Sequence, residues 1–150
     1  MILNTPNGWT LRVFLVTSRT RYVVKLALVG ITPLMKETVQ KPWGWYKDLE
    51  RHYDLVIKKL YIKPLSRFSL QKHFKRDEFW YIISGTGTIT IDSLKQKVEP
   101  GDCFSIGRGS VHRLEADADG LTFVEVQKGE CSENDIVRLE DDYNRVTDGL

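Results

Sequence analysis

Cysteine is nearly missing from this chain: there are two in 150 residues, Cys103 and Cys131, far apart and in no C-x-x-C pair. That excludes a disulfide framework and a thiolate zinc site, and reduced, partly buried thiols are expected instead. Long apolar runs are also missing. The longest candidate, Tyr22 to Ile31, is interrupted by Lys25 and falls short of the roughly 20 residues that cross a bilayer. A charge excess of either sign is lacking as well, since 22 Lys and Arg stand against 20 Asp and Glu. No broad basic field for a nucleic acid follows from that balance. The expectation is a cytoplasmic protein with neither nucleic acid nor membrane as partner.

What is present suffices for one hydrophobic core: 41% of the residues are hydrophobic, and the length is too short for two ordinary domains. Residues 1–34 stand apart, with Arg12, Arg19, Arg21 and Lys25 and no acidic residue. Leu11 to Thr17 and Tyr22 to Val29 are rich in β-branched and aromatic residues around a polar break, which predicts a hairpin. A basic transit peptide, or upstream read-through with Met35 as the true start, are the alternatives. The organisation expected is a peripheral N-terminal β segment over 1–34 and a single domain over 35–150.

From Pro42-Trp-Gly-Trp45 onward, short apolar strands are separated by turn residues. Tyr53 to Ile62 ends at Lys63-Pro64, Glu78 to Ile83 ends at a Gly85-Thr-Gly87 hairpin turn, and Val111 to Ala116 is parted from Leu121 to Lys128 by Asp117 to Gly120. This spacing predicts an all-β, small antiparallel barrel or sandwich. Glu78 to Ile83 is apolar on both faces and reads as a strand covered on both sides. Ser132 and Asp135 mark a short helix start in a C-terminal arm. His52 has no partner at metal spacing and reads as a surface residue.

Gln71 and His73, two apart, share a strand face, Glu78 opens the next strand, and the glycine turn at Gly107 and Gly109 delivers His112. Two imidazoles, a carboxylate and an amide oxygen form a donor set for one divalent transition ion. Zinc is the first choice, with iron, cobalt, manganese or nickel as alternatives.

The spacing Gln71-x-His73-x4-Glu78-x6-Gly85, followed by Gly101, Gly109 and His112, resembles the paired motifs of the cupin superfamily, with Gln71 in the place of the first histidine. The segment from Lys41 to Arg145 is more specifically similar to the C-terminal isomerase domain of bifunctional mannose-1-phosphate guanylyltransferase/mannose-6-phosphate isomerases. The phrases Lys41-Pro-Trp-Gly-Trp-Tyr46, Ser69-Leu-Gln71, Ser84-Gly-Thr86, His112-Arg-Leu-Glu115, Glu125-Val-Gln127 and Asp135 to Arg145 carry that similarity. The resemblance implies a double-stranded β-helix, or jelly-roll, barrel. It also implies a metal-dependent isomerase that interconverts mannose 6-phosphate and fructose 6-phosphate.

Such an isomerisation needs a base beside the carbon that loses its proton and a cationic clamp for phosphate. Glu125, in one of the resembling phrases, is the candidate base; an outward, salt-bridging glutamate is the alternative. Arg76 is the first candidate for the phosphate and for catalysis, because the resembled motif keeps arginine there and its fork matches phosphate oxygens. Arg138 and Arg145 follow, with Lys75 and Arg113 behind them. The competing functions are a non-catalytic sugar- or nucleotide-sugar-binding cupin and an iron-dependent oxygenase or lyase. A sugar phosphate is the expected small-molecule partner, and a homodimer is allowed.

Overall fold

The computed structural model describes residues 2–4, 10–18, 21–29 and 37–146. These fall in two compact units, Met1–Met35 and Lys36–Leu150. Met35, the alternative start, lies outside the described residues.

In the first unit β1 (Ile2–Asn4), β2 (Thr10–Ser18) and β3 (Arg21–Val29) form a three-stranded sheet in that order. β2 and β3 are antiparallel and in continuous register from Thr10↔Val29 to Ser18↔Arg21. The β-branched stretches therefore pair with each other as the expected hairpin.

The second unit runs β4 (Thr38–Lys41), β5 (Gly44–Arg51), β6 (Leu55–Ile62), β7 (Leu70–Lys72), β8 (Arg76–Ile91), β9 (Leu94–Val98), β10 (Cys103–Ile106) and β11 (His112–Gly129). A 3-10 turn over Glu133–Asp135 and β12 (Val137–Glu140) complete it. All described pairings are antiparallel, in the order β10-β8-β11-β6-β5-β4, with β9 on β8 and with β7 joining β11 to β12. The sheet curls around one core, as the all-β barrel expectation requires. The expected C-terminal helix is reduced to the 3-10 turn, with Ser132 at its N-cap accepting from Asn134 N.

Several expected boundaries are corrected. Gly85-Thr-Gly87 is not a hairpin turn: β8 runs straight through it, and β11 likewise runs through Asp117 to Gly120. The two strands bend together, with pairings Ala116↔Gly87 and Leu121↔Gly85 on either side of a register shift. Gly85 has φ +83°, and a Cβ there would stand 2.0 Å from the Gly120 carbonyl oxygen, so the corner needs glycine. Tyr53 is fully exposed, and β6 begins only at Leu55. The outer face of β8 is open, with Phe79, Tyr81 and Ile83 at 42%, 47% and 41% exposure. That strand is covered on one side, and its second set of apolar residues had concealed this. Cys103 is exposed and Cys131 half-buried, both as free thiols.

Strand phase decides what enters the barrel. On β8, Arg76, Glu78, Trp80 and Ile82 face inward, and on β6, Val56, Lys58, Leu60 and Ile62 do. On β11, Leu121, Phe123, Glu125 and Gln127 are buried. Pairing aligns Leu121 with Gly85 and Ile62, and Phe123 with Ile82 and Leu60. The next rows are Glu125 with Trp80 and Lys58, then Gln127 with Glu78 and Val56. Trp43, Phe68, Ile89 and Leu114 complete the apolar half. The core is thus apolar at one end and charged at the other.

Candidate metal centre and adjoining pocket

β7, β8 and the start of β11 meet at the charged end. His112 pairs with Gln71 across β11 and β7, and Gly109 N–H donates to the His73 carbonyl at 2.6 Å. The second glycine turn is thereby docked on the first motif. Ligand atoms of His73, Glu78 and His112 lie within 4.8 Å of one another, all buried.

The hydrogen bonding orients these groups. His112 Nδ1 lies 2.9 Å from the Ser110 carbonyl and must donate to it, so Nε2 carries the lone pair. That Nε2 has no hydrogen-bond partner and faces Glu78 Oε2 at 3.7 Å. Two buried acceptors turned toward each other call for a cation between them. His73 Nε2 lies 3.3 Å from Glu78 Oε1. Burial, followed by Arg76 and His112, lowers the His73 pKa to about 3, and burial lowers that of His112. Both imidazoles are neutral, which is the ligating form. The donor set fits a divalent transition ion.

Gln71 joins on one condition. Its Oε1 accepts from Ser69 Oγ at 2.8 Å, while its Nε2 lies 3.5 Å from His73 Nε2. Turning the amide over lets its nitrogen donate to Ser69 and brings the oxygen toward His73, the orientation an ion needs.

Arg76 is drawn inside by its phase. Its Nε donates to Glu78 Oε1 at 2.8 Å, its Nη1 to the Ser132 carbonyl at 2.8 Å and its Nη2 reaches His73 Nε2 at 3.1 Å. The guanidinium thus contacts two of the candidate metal ligands. Trp80 Nε1 donates to Glu78 Oε2 at 3.1 Å.

Beside this centre lies a small pocket, partly open to solvent. Glu125 lines it and is buried, so the outward alternative does not hold. Gln127 Nε2 donates to Glu125 Oε1 at 2.6 Å. Burial, then the charge of Glu78, pushes the Glu125 pKa up to about 7, against the pull of Lys58. Arg138, which pairs with Gln71 on β12, lines the cavity with its Nε buried and unpartnered. Burial and then Arg145 lower its pKa. Arg145 also lines the cavity but is ion-paired with Asp141.

Lys75 and Arg113 are placed elsewhere. Lys75 is exposed and pairs with Glu130 at 2.9 Å, Arg113 pairs with Glu140 at 3.0 Å, and neither lines the cavity. His52 is exposed, 3.4 Å from Glu50. Sequence reasoning missed Lys41, Lys58, Gln127 and Glu133, all of which line the cavity. For Lys58 a signal existed: it lies in phase with Val56, Leu60 and Ile62, whereas Lys59 does not. Among the described residues, no helix is long and apolar enough to cross a membrane.

The family described as mannose-6-phosphate isomerase C-terminal matches residues 32–141. The alginate biosynthesis protein AlgA of Pseudomonas aeruginosa is 37% identical over 112 residues, covering 73% of this chain and 23% of AlgA. The chain therefore spans about a quarter of that relative's length. Oxalate decarboxylase from Bacillus subtilis is similar in fold, with TM-score 0.63 and 23% identity over 69% of this chain and 30% of the other. So is an RmlC-like cupin from Shewanella frigidimarina, with TM-score 0.60 and 14% identity over 66% of this chain and 87% of that one. Ligand spacing, barrel and family match agree: the chain belongs to the mannose-6-phosphate isomerase C-terminal family and carries the cupin fold.

Proposed function

We propose that this protein is a metal-dependent sugar-phosphate isomerase, interconverting mannose 6-phosphate and fructose 6-phosphate in the cytoplasm. The observation that carries this reading is Glu125: a buried carboxylate with a pKa near 7, in a cavity that also contains the candidate ligand Glu78 and an unpartnered arginine. Carboxylates are tuned this way where a proton must be taken up and returned near neutral pH.

Gln71, His73, Glu78 and His112 would hold the ion, which when bound polarises the carbonyl and hydroxyl oxygens of a sugar. Glu125 takes the proton from the carbon next to the carbonyl and returns it to the former carbonyl carbon, while the hydroxyl proton passes from one of the two sugar oxygens to the other. Gln127 fixes the carboxylate by donating to Oε1. Arg138, with a guanidinium Nε free of hydrogen bonds, is the first choice for the phosphate, and Arg145 stands beside it. Arg76 acts through Glu78 and His73, which it holds in place. Trp43 and Phe68, packed edge to face at 4.4 Å, wall the apolar side of the cavity.

The test is net turnover of mannose 6-phosphate by protein loaded with zinc, iron(II), cobalt or manganese. Turnover with any of these, lost on chelation and in Glu125→Gln, supports the reading; no turnover with any of them overturns it. A non-catalytic sugar-phosphate-binding domain is the second reading. It is favoured by Arg76, whose guanidinium donates to two of the ligands that an ion would need. Saturable binding without turnover would establish it.

A further inference from the structure

Within the cavity, one acidic side chain serves neither the metal centre nor the proposed base. Glu133, on the 3-10 turn, sends its carboxylate onto Lys58 Nζ at 2.9 Å. The two partners differ sharply in exposure, with the Lys58 side chain at 5% and that of Glu133 at 50%. Burial pushes the Glu133 carboxyl up, yet Lys58, Arg76 and Lys41 together hold it below the usual range. Arg138 also feels its charge. A half-exposed carboxylate thus stands among four cations that line one cavity.

We propose that Glu133 is a resident stand-in for a ligand's phosphate: Lys41, Lys58 and Arg138 form the anion subsite, and a phosphorylated sugar displaces the Glu133 carboxylate from Lys58. The inference rests on the sugar-phosphate reading above. Its physical basis is the asymmetry of the pair. Removing Glu133 alone leaves the buried Lys58 ammonium with Glu125 as its remaining acidic neighbour, short of full compensation, whereas returning a half-exposed carboxylate to water costs little. The pair therefore exchanges partners more readily than it simply opens. A phosphate ester brings close to two negative charges and several acceptor oxygens, so it satisfies more of the ring than one carboxylate does.

The movement required is small. Ser132 O accepts from Arg76 Nη1, and the Asp135 carboxylate accepts from the backbone N–H groups of Phe74 and Lys75. These bonds hold the turn's backbone on both sides of Glu133, so the exchange is a swing of one side chain.

Calorimetric titration of the 150-residue chain with mannose 6-phosphate, inorganic phosphate and unphosphorylated mannose tests this. Glu133→Gln should bind both phosphate-bearing ligands about 10- to 150-fold more tightly, the scale of one charge-assisted contact no longer competing, and should leave mannose unchanged. Glu133→Asp keeps the charge but shortens its reach, so it should tighten phosphate binding more weakly and guards against a folding defect in the first variant. Lys58→Gln should weaken phosphate binding at least about 10-fold. Phosphate affinity that is equal or lower in both Glu133 variants, at unchanged melting temperature, overturns the proposal. Turnover without that gain overturns it and leaves the isomerase standing. Tighter phosphate binding without turnover supports it and removes the isomerase, and no binding of either phosphate by any variant overturns it.

Discussion

Across β8, β11 and β6 the inward rows read Leu121, Gly85 and Ile62, then Phe123, Ile82 and Leu60, then Glu125, Trp80 and Lys58, and last Gln127, Glu78 and Val56. The same three strands therefore build an apolar plug at one end and a charged chamber at the other. In the plug a side chain matters through the area it removes from water and the space it fills. In the chamber almost every buried polar atom needs a named partner, because burial without one is costly. Trp80 lies at the border, its ring packed on Phe123 at 5.1 Å and on His112 at 5.5 Å while its N–H donates to Glu78. The plug thus supplies the stability against which the chamber's like charges and unpartnered groups are held.

Substitutions at the two ends should then fail in different ways. The largest loss of stability is expected in the plug. Phe123 is fully buried, and Phe123→Ala should cost about 3 to 5 kcal/mol, read as a lower urea midpoint at unchanged slope. At 10 °C the variant should still bind a divalent ion, because no ligand is touched; loss of the ion together with the plug would mean that the two ends are not separable. His112→Ala should do the reverse. It removes a candidate ligand, so ion affinity should fall at least about 100-fold, beyond what supporting residues alone contribute, while chelated protein loses less stability than Phe123→Ala does. Elemental analysis and thermal melts made with chelator decide it, and full ion retention would reject the centre.

The two ends also differ in how far the sequence disclosed them. Spacing marks the candidate ligands Gln71, His73, Glu78 and His112 directly, because each position is tied to the next by a short strand or a glycine turn. The plug is legible as alternation along β6, β8 and β11. The rest of the chamber is not, for two physical reasons. Lys58 lies in an inward phase beside outward Lys59, and adjacent lysines look alike until a partner strand sets the phase. Glu133 reaches Lys58 across 75 positions of sequence, a contact that no local pattern encodes. Family resemblance points to Arg76 for the phosphate; Arg76 lines the pocket, and no local pattern discloses that its inward phase also sets its donors on Glu78 and His73. The corner at Gly85 looks like a hairpin in sequence because glycine marks both a turn and a close approach of two backbones.

A smaller effect is expected from Arg138 than from the plug or the ligands. Arg138→Ala removes the cavity arginine whose Nε lacks a partner, and the lost charge-assisted contact should lower kcat/KM for mannose 6-phosphate by about 10- to 150-fold. Lys75→Ala, outside the cavity with its exposed partner Glu130, should change it less than about 2-fold. Equal losses in the two variants would place the phosphate elsewhere.

The smallest effect is a pH dependence of stability that the chamber should show and the plug should not. Glu125 has a folded pKa of about 7 against an ordinary value of 4.5, raised first by burial and then by Glu78. Between those values the folded chain keeps a proton that the unfolded chain has released, so stability falls as pH rises from about 4.5 through about 7 and is level above. Glu125→Gln removes this component while its side-chain oxygen still accepts from Gln127. Relative to the unsubstituted chain, the variant should gain about 1 to 3 kcal/mol between pH 5 and pH 8, less than the full shift because the buried charges relax. Urea melts at half-unit pH steps, made with chelator present, read the difference directly. A gap that stays constant across the range would show that Glu125 ionises normally in the folded chain, and its place as the base would fall with it.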